Sequence, residues 1–166
     1  MAGSEKRAAL AALRHRLEVE PSVTAVLEDW CLARGIGEGA LRSLQLGTVA
    51  AAPDTARLCD ALGAEAAEVV LHRRIRLMRG TVPLLWADNW YRPALLSAPM
   101  RAAFEDGETP FGPAIAALSP IRRLLSSTTA GGEDGVVLRL EAALVLPSGA
   151  AVSVVRERLL DTLLPA

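Results

Sequence analysis

The sequence predicts an α+β fold: a single antiparallel sheet of about six strands, with helices on one face and an enclosed ligand cavity. Three observations carry this. Residues 68–91 and 136–160 each read as two strands joined by a tight turn, Arg79-Gly80-Thr81 in the first and Pro147-Ser148-Gly149-Ala150 in the second. Helical patterning fills the chain before and between them, without the regular strand-helix-strand alternation of a parallel sheet. A length of 166 residues, 51% apolar and 22% charged, fits one globular domain, 1–166, able to bury its own core.

Taken in order, Leu10, Leu13 and Leu17 recur among Arg and Glu at helical spacing over residues 5–18. Ser22 is an N-cap for a second helix through Val23, Val26, Leu27 and Trp30 to about Ala33, and Gly35 ends it. Leu41–Ala51 reads as a strand weakened by Gly47. Pro53-Asp54-Thr55 opens a short helix to about Gly63, with Asp54 as cap and Leu58, Cys59 and Leu62 inward. The strand 68–79 and the strand Val82–Tyr91 make the first hairpin. Arg92-Pro93 ends it and starts a helix, Ala94 to about Glu105, whose apolar members are Leu95, Leu96, Met100 and Phe104. Loop 106–110 leads to a short helical stretch at Phe111-Gly112-Pro113. The Ser/Thr/Gly-rich segment Ser126–Asp134 reads as a surface loop, before the final strands 136–146 and 151–160.

Charge and composition exclude several function classes. A net charge of −1 and a pI near 6.1 argue against a large basic surface and hence against a nucleic-acid partner. No apolar run approaches the roughly 18 residues of a membrane span, and the charged N-terminus lacks a signal-peptide core, so no membrane partner and a cytoplasmic location are expected. Cys31 and Cys59 stand apart and only His15 and His72 accompany them, so neither a metal site nor a disulfide framework is indicated, and both cysteines read as core residues. Seventeen arginines against the single Lys6 read as codon composition.

Two charges fall on apolar faces. Val69, Leu71, Arg73, Ile75 and Leu77 share one side of their strand, with His72, Arg74 and Arg76 on the other. A guanidinium cannot shed its charge, and burying it unpaired costs several kcal/mol, so Arg73 must meet an anion, either of the protein or of a ligand. In the last strand Ala151, Ser153, Val155, Glu157 and Leu159 share the face that carries only one charge, Glu157. The pair is either a mutual buried ion pair or two poles of a pocket, in which Arg73 grips a ligand carboxylate and Glu157 meets a hydroxyl or ring proton. Asp88, on the Trp86 and Trp90 face of the strand 82–91, is a rival partner for Arg73. Thr109-Pro110-Phe111-Gly112 offers backbone N–H groups at a helical turn, but taken alone reads rather as a common loop stop. The Gly-x-Ser-x-Gly elbow, the P-loop and a His/Cys dyad are missing, and Gly35-Ile36-Gly37-Glu38-Gly39 lacks the preceding strand of a dinucleotide fingerprint.

Asp29-Trp30 late in an N-terminal helix, Arg73-Arg74-Ile75-x-Leu77 before a glycine turn, Leu96-Ser97-x-Pro99, Thr109-Pro110-Phe111-Gly112, and Gly149 followed by Glu157 occur in an order that resembles the chorismate pyruvate-lyase family across most of the chain. The resemblance implies a six-stranded antiparallel sheet, a cavity under helical flaps, and cofactor-free elimination of pyruvate from chorismate or a close cyclohexadiene relative to give 4-hydroxybenzoate. It makes Arg73 and Glu157 the catalytic pair. Arg73 would hold the ring carboxylate, Glu157 would face the ring hydroxyl end and carry a proton, and Phe111 with Gly112 would line the site. The partner would be a chorismate-like dianion, and the protein a monomer or homodimer. The chain departs from the family at Ala87-Asp88-Asn89-Trp90, where Ala-Arg-Thr-Val is common, at Arg139, which stands alone, and at Phe111, which replaces leucine. The same scaffold also implies a second reading, a non-catalytic aromatic-acid-binding domain of the effector-sensing type. Such domains follow a winged-helix DNA reader, and the chain has about 65 residues before its first clear hairpin, with no basic recognition helix.

Overall fold

Caps and turns fix where each element begins and ends. The computed structural model describes residues 2–50, 56–131 and 133–166. Helices α1 (Ala2–Val19) and α2 (Val23–Arg34) come first. The Ser22 hydroxyl accepts the Ala25 N–H at 3.2 Å, and Gly35, at φ 65°, closes the other end of α2 in the left-handed conformation glycine favours. The strands are β1 (Leu41–Ala50), β2 (Leu71–Arg79), β3 (Val82–Tyr91), β4 (Ile121–Thr129), β5 (Val136–Val145) and β6 (Ala151–Leu160). They form one antiparallel sheet in the order β1-β2-β3-β6-β5-β4, two three-strand meanders joined along β3 and β6.

Three elements differ from the sequence reading. The first four residues of the segment expected to be loop, Ser126–Thr129, are the end of strand β4: they sit at the sheet edge, where polar residues meet solvent on the outward face. The expected helix from Ala94 to Glu105 is a 3-10 turn, Pro93–Leu95, followed by α4 (Ala98–Glu105), because Ser97 caps a new helix whose second residue is Pro99, a residue that fits only a first turn. The strand expected from residue 68 begins at Leu71, and Val69 is exposed rather than facing the core. Helix α3 is Ala56–Leu62; the proposed opening at Pro53-Asp54-Thr55 and the side chain of Cys59 lie outside the described residues.

On one face of the sheet, Leu13 and Leu17 of α1 and Val26, Leu27, Trp30 and Cys31 of α2 bury against Ile75, Leu77, Leu85, Leu140 and Leu159. Each such leucine contributes roughly 1.5–3 kcal/mol by leaving water. Helices α4 and α5 (Phe111–Ile115) extend this layer, with Phe104 and Ile115 packed near Tyr91 and Val152. Leu58 and Leu62 of α3 cover the end of the reverse face, on Val70, Trp90 and Val154. Among the described residues no helix is long and apolar enough to cross a membrane.

The glycine-rich link between α2 and β1 is a packing device. Gly37 has φ 64° and lies against the Arg79 backbone, and the Arg79 guanidinium donates to the carbonyls of Gly39 and Ile36, each at 2.9 Å. A methyl group there meets the Arg79 carbonyl in an unfavourable conformation. Gly37→Ala is therefore expected to lose about 2–4 kcal/mol; a urea-denaturation midpoint unchanged from wild type contradicts this.

Candidate ligand-binding site

A bulge decides what faces Arg73. From the turn, where Arg79 pairs with Val82, a regular ladder carries Arg73 opposite Asp88. The register shifts by one at Pro83 and Leu84, where proline has no N–H to give, so Arg73 lies opposite Asn89 and Asp88 opposite Arg74. A one-residue slip moves a side chain to the other face of the sheet. Asp88 accordingly sits on the reverse face with His72 (2.8 Å), Arg158 (3.0 Å) and Arg74 (3.3 Å), and its rivalry for Arg73 is removed.

Arg73 itself is 1% exposed. One terminal nitrogen donates to the Thr109 carbonyl at 3.2 Å, its guanidinium lies 5.2 Å from the Phe104 ring centre, and its Nε has no partner. Among the described residues no carboxylate comes within ion-pair distance. Burial pulls its pKa below the ordinary arginine value, with Tyr91 and then Asp106 opposing. The Thr109 carbonyl is aimed by its loop: Asp106 accepts the N–H groups of Glu108 (2.9 Å) and Thr109 (3.1 Å) and the Thr109 hydroxyl (3.0 Å), which also lowers the Asp106 pKa. The Ser43 N–H holds the loop to β1 through the Glu108 carbonyl at 2.7 Å.

Glu157 does not pair with Arg73. Its carboxylate meets Arg122 of β4 at 3.5 Å, an ion pair too long for a good hydrogen bond, and both side chains are about nine-tenths buried. Burial raises the Glu157 pKa, and the charge of Arg122 works against that rise. Arg122 also donates to the Leu17 carbonyl at 2.8 Å.

Arg73, Glu157, Phe111 and Gly112 line one cavity of about 70 Å³, walled by β2, β3, β6, α2 and the start of α5. Phe111 is held by stacking on Phe104 at 4.8 Å and by Tyr91 at 5.6 Å. A second compartment of about 360 Å³ shares Val23, Thr24, Phe111, Gly112, Val155 and Glu157 with the first and reaches the surface at Pro21 and Ser22. Only the outer one is as large as ordinary small-molecule sites of roughly 300–1,000 Å³. Buried polar atoms without a hydrogen bond concentrate here among the described residues: Ser43 Oγ, Arg73 Nε, Asn89 Nδ2, Nε of Arg122, and Glu157 Oε2 with one Nη of Arg122, which meet each other only at ion-pair distance. Sequence reading missed Ser43, Asn89 and Arg122. Arg122 went unseen because no strand was read before the Ser126–Asp134 loop segment, and Asn89 because the opposite side of its strand, with Trp86 and Trp90, reads as core. Among the described residues no cluster of three or more His, Cys, Asp or Glu could hold a metal.

Comparison with family models and with curated proteins gives no match. Solved structures do match. The ligand-binding domain assigned to a GntR-family transcriptional regulator of Bordetella bronchiseptica aligns with a TM-score of 0.56 at 18% identity, over 72% of this chain and 85% of that one. The effector domain of PhnF from Mycobacterium smegmatis gives 0.56 at 13%, over 84% and 88%. The PhnF structure from the same organism gives 0.58 at 14%, over 84% of this chain and 63% of that one. The fold is chorismate lyase-like. At these identities the likeness is one of fold. It corrects the expectation of a carbon-oxygen lyase: the matched structures include the ligand-binding domain of a transcriptional regulator and an effector domain, and Glu157, expected to carry a proton, is engaged by Arg122.

Proposed function

We propose that the chain is a non-catalytic small-molecule-binding domain of the effector-sensing type, and that its ligand is a compact hydroxy-acid, aromatic or similarly flat, whose carboxylate seats on Arg73. The observation that carries this reading is the concentration of unpartnered polar atoms around Arg73, Asn89, Arg122 and Glu157. A buried donor or acceptor left without a partner costs about 1–3 kcal/mol, more when charged, and a ligand that satisfies several together recovers that cost on binding.

Each end of the cavity selects a group. Arg73 Nε and Asn89 Nδ2 are donors and suit a carboxylate. Arg122 and Glu157 offer a donor and an acceptor 3.5 Å apart, which one hydroxyl can bridge by accepting from the first and donating to the second. Phe111, Val23 and Val155 supply flat apolar walls between them. The inner compartment takes the carboxylate end alone, so the body of the ligand extends past Phe111 into the outer one. The regulatory readings of the neighbours favour sensing of such a molecule over its conversion.

Calorimetric titration with 4-hydroxybenzoate, benzoate and 4-hydroxybenzamide tests this directly. The expected order is 4-hydroxybenzoate, then benzoate about tenfold weaker for lack of the hydroxyl, with the amide weakest because it brings no charge to Arg73. Equal affinity for the acid and the amide, or no heat from any carboxylate at millimolar concentration, overturns the reading.

A further inference from the structure

The reverse face of the sheet carries a second feature, unconnected with the cavity. Strand register places its side chains in rows across the sheet. One row runs Arg76, Trp86, Arg158, Arg139, and the next runs Arg74, Asp88, Arg156, Glu141. The second row alternates in charge and is paired, Asp88 meeting Arg74 and also Arg158 of the first row, and Glu141 meeting Arg156 at 3.1 Å. The first row contains three arginines and no carboxylate.

Its guanidiniums are organised on an aromatic base. Arg76 lies 4.7 Å and Arg158 5.7 Å from the Trp86 ring centre, on opposite neighbouring strands. Arg76 and Arg139 have no ion-pair partner among the described residues, and Nε of both Arg76 and Arg158 is without a hydrogen bond. Arg42, exposed on β1 opposite Met78, extends the patch. Among the described residues helix α3 packs on the far end, over Trp90 and Val154, while Arg74 and Arg139 are exposed and Arg76, Trp86, Arg156 and Arg158 half-buried. Net charge argues against a polyanion partner only when charge is spread evenly; in a chain of net charge −1 these arginines are gathered on one flat face.

We propose that this face binds the phosphate backbone of nucleic acid. Two features of the patch favour nucleic acid over an acidic protein. Protein interfaces have apolar centres, whereas here the central strands β3 and β6 present Asp88, Arg156 and Arg158 around the single ring of Trp86, and exposed apolar residues such as Leu44, Val49 and Ile121 stand on the edge strands. Arg158 and Arg139 stand on neighbouring strands, roughly 4.8 Å apart, and Arg74 and Arg76, like Arg156 and Arg158, stand roughly 7 Å apart along one strand, spacings suited to successive phosphates and to bidentate recognition. Contacts of this kind are to backbone and independent of base sequence.

Fluorescence anisotropy with a labelled mixed-sequence DNA duplex tests the proposal on the whole chain. Wild type is expected to bind at low salt, with log affinity falling linearly in log salt. The double variant Arg76→Gln, Arg139→Gln, both outside the core, is expected to bind at least about tenfold more weakly at low salt, with the slope reduced by about 2. Arg73→Met, which alters the cavity, is expected to bind duplex as wild type does. Absence of salt-dependent binding, an unchanged slope in the double variant, or polyglutamate displacing protein from duplex through the same arginines would overturn it, the last by pointing to an acidic protein instead.

Discussion

Arg73→Met is expected to produce two opposite effects: loss of carboxylate binding and a gain in stability. Arg73 is a charge buried almost completely, with a carbonyl and a ring face for company and no carboxylate within ion-pair distance among the described residues. Folding pays to dehydrate it and recovers only part of that cost. Methionine fills similar space without the charge, and exchanging a buried charge for an apolar side chain stabilises by about 1–4 kcal/mol in comparable sites. For a chain of this length that is a rise in Tm of roughly 2–4 °C per kcal/mol. Affinity for an aromatic carboxylate should fall about a hundredfold or more, as expected when a charge-assisted bidentate contact is lost. A variant that melts lower than wild type contradicts the account, because it makes Arg73 a structural residue.

Arg122→Met is expected to act in the other direction, and through pH. It removes the charge facing Glu157 and leaves a buried carboxylate alone, which costs about 3–5 kcal/mol when the group is ionised. Wild-type Glu157 already has a pKa above the ordinary value of 4.5. Between that value and the raised one the folded state keeps a proton that the unfolded state has released, so stability falls as pH rises through this window and is recovered below it. Arg122→Met raises the folded pKa further, so its deficit should be large at pH 8 and small at pH 5. Glu157→Gln should flatten the slope, and the double variant should recover most of the loss at pH 8. Denaturation midpoints equal at both pH values for Arg122→Met would show that the pair is not electrostatically coupled.

The contrast between these two arginines explains what the sequence could and could not reveal. Arg73 was legible because Leu71, Ile75 and Leu77 flank it at period two, so alternation alone assigns it to the apolar side. Glu157 was legible by the same argument on β6. Its partner was not, since Arg122 lies on an edge strand whose Ser126-Ser127-Thr128-Thr129 end has the composition of a loop. Asp88 was assigned a rival role because it shares its side of β3 with Trp86 and Trp90, which read as core; that side is the reverse face, where α3 covers Trp90 and where Asp88 meets His72, Arg74 and Arg158. Elements with their own punctuation, such as α2 between Ser22 and Gly35, match closely; Ser97 and Pro99 divide a helix that apolar spacing alone runs together. Long-range pairing carries the rest, and no local window contains it.

The account stands on the anion that meets Arg73. Nitrogen-15 NMR of the arginine side chains during titration with 4-hydroxybenzoate observes that contact itself, since Arg73 Nε–H has no hydrogen-bond partner among the described residues. The predicted result is a saturable shift of the Arg73 Nε–H resonance, identified by its loss in Arg73→Met and accompanied by smaller shifts at Arg122. Saturable binding that leaves the Arg73 resonance in place, with the shifts gathered elsewhere, would contradict it.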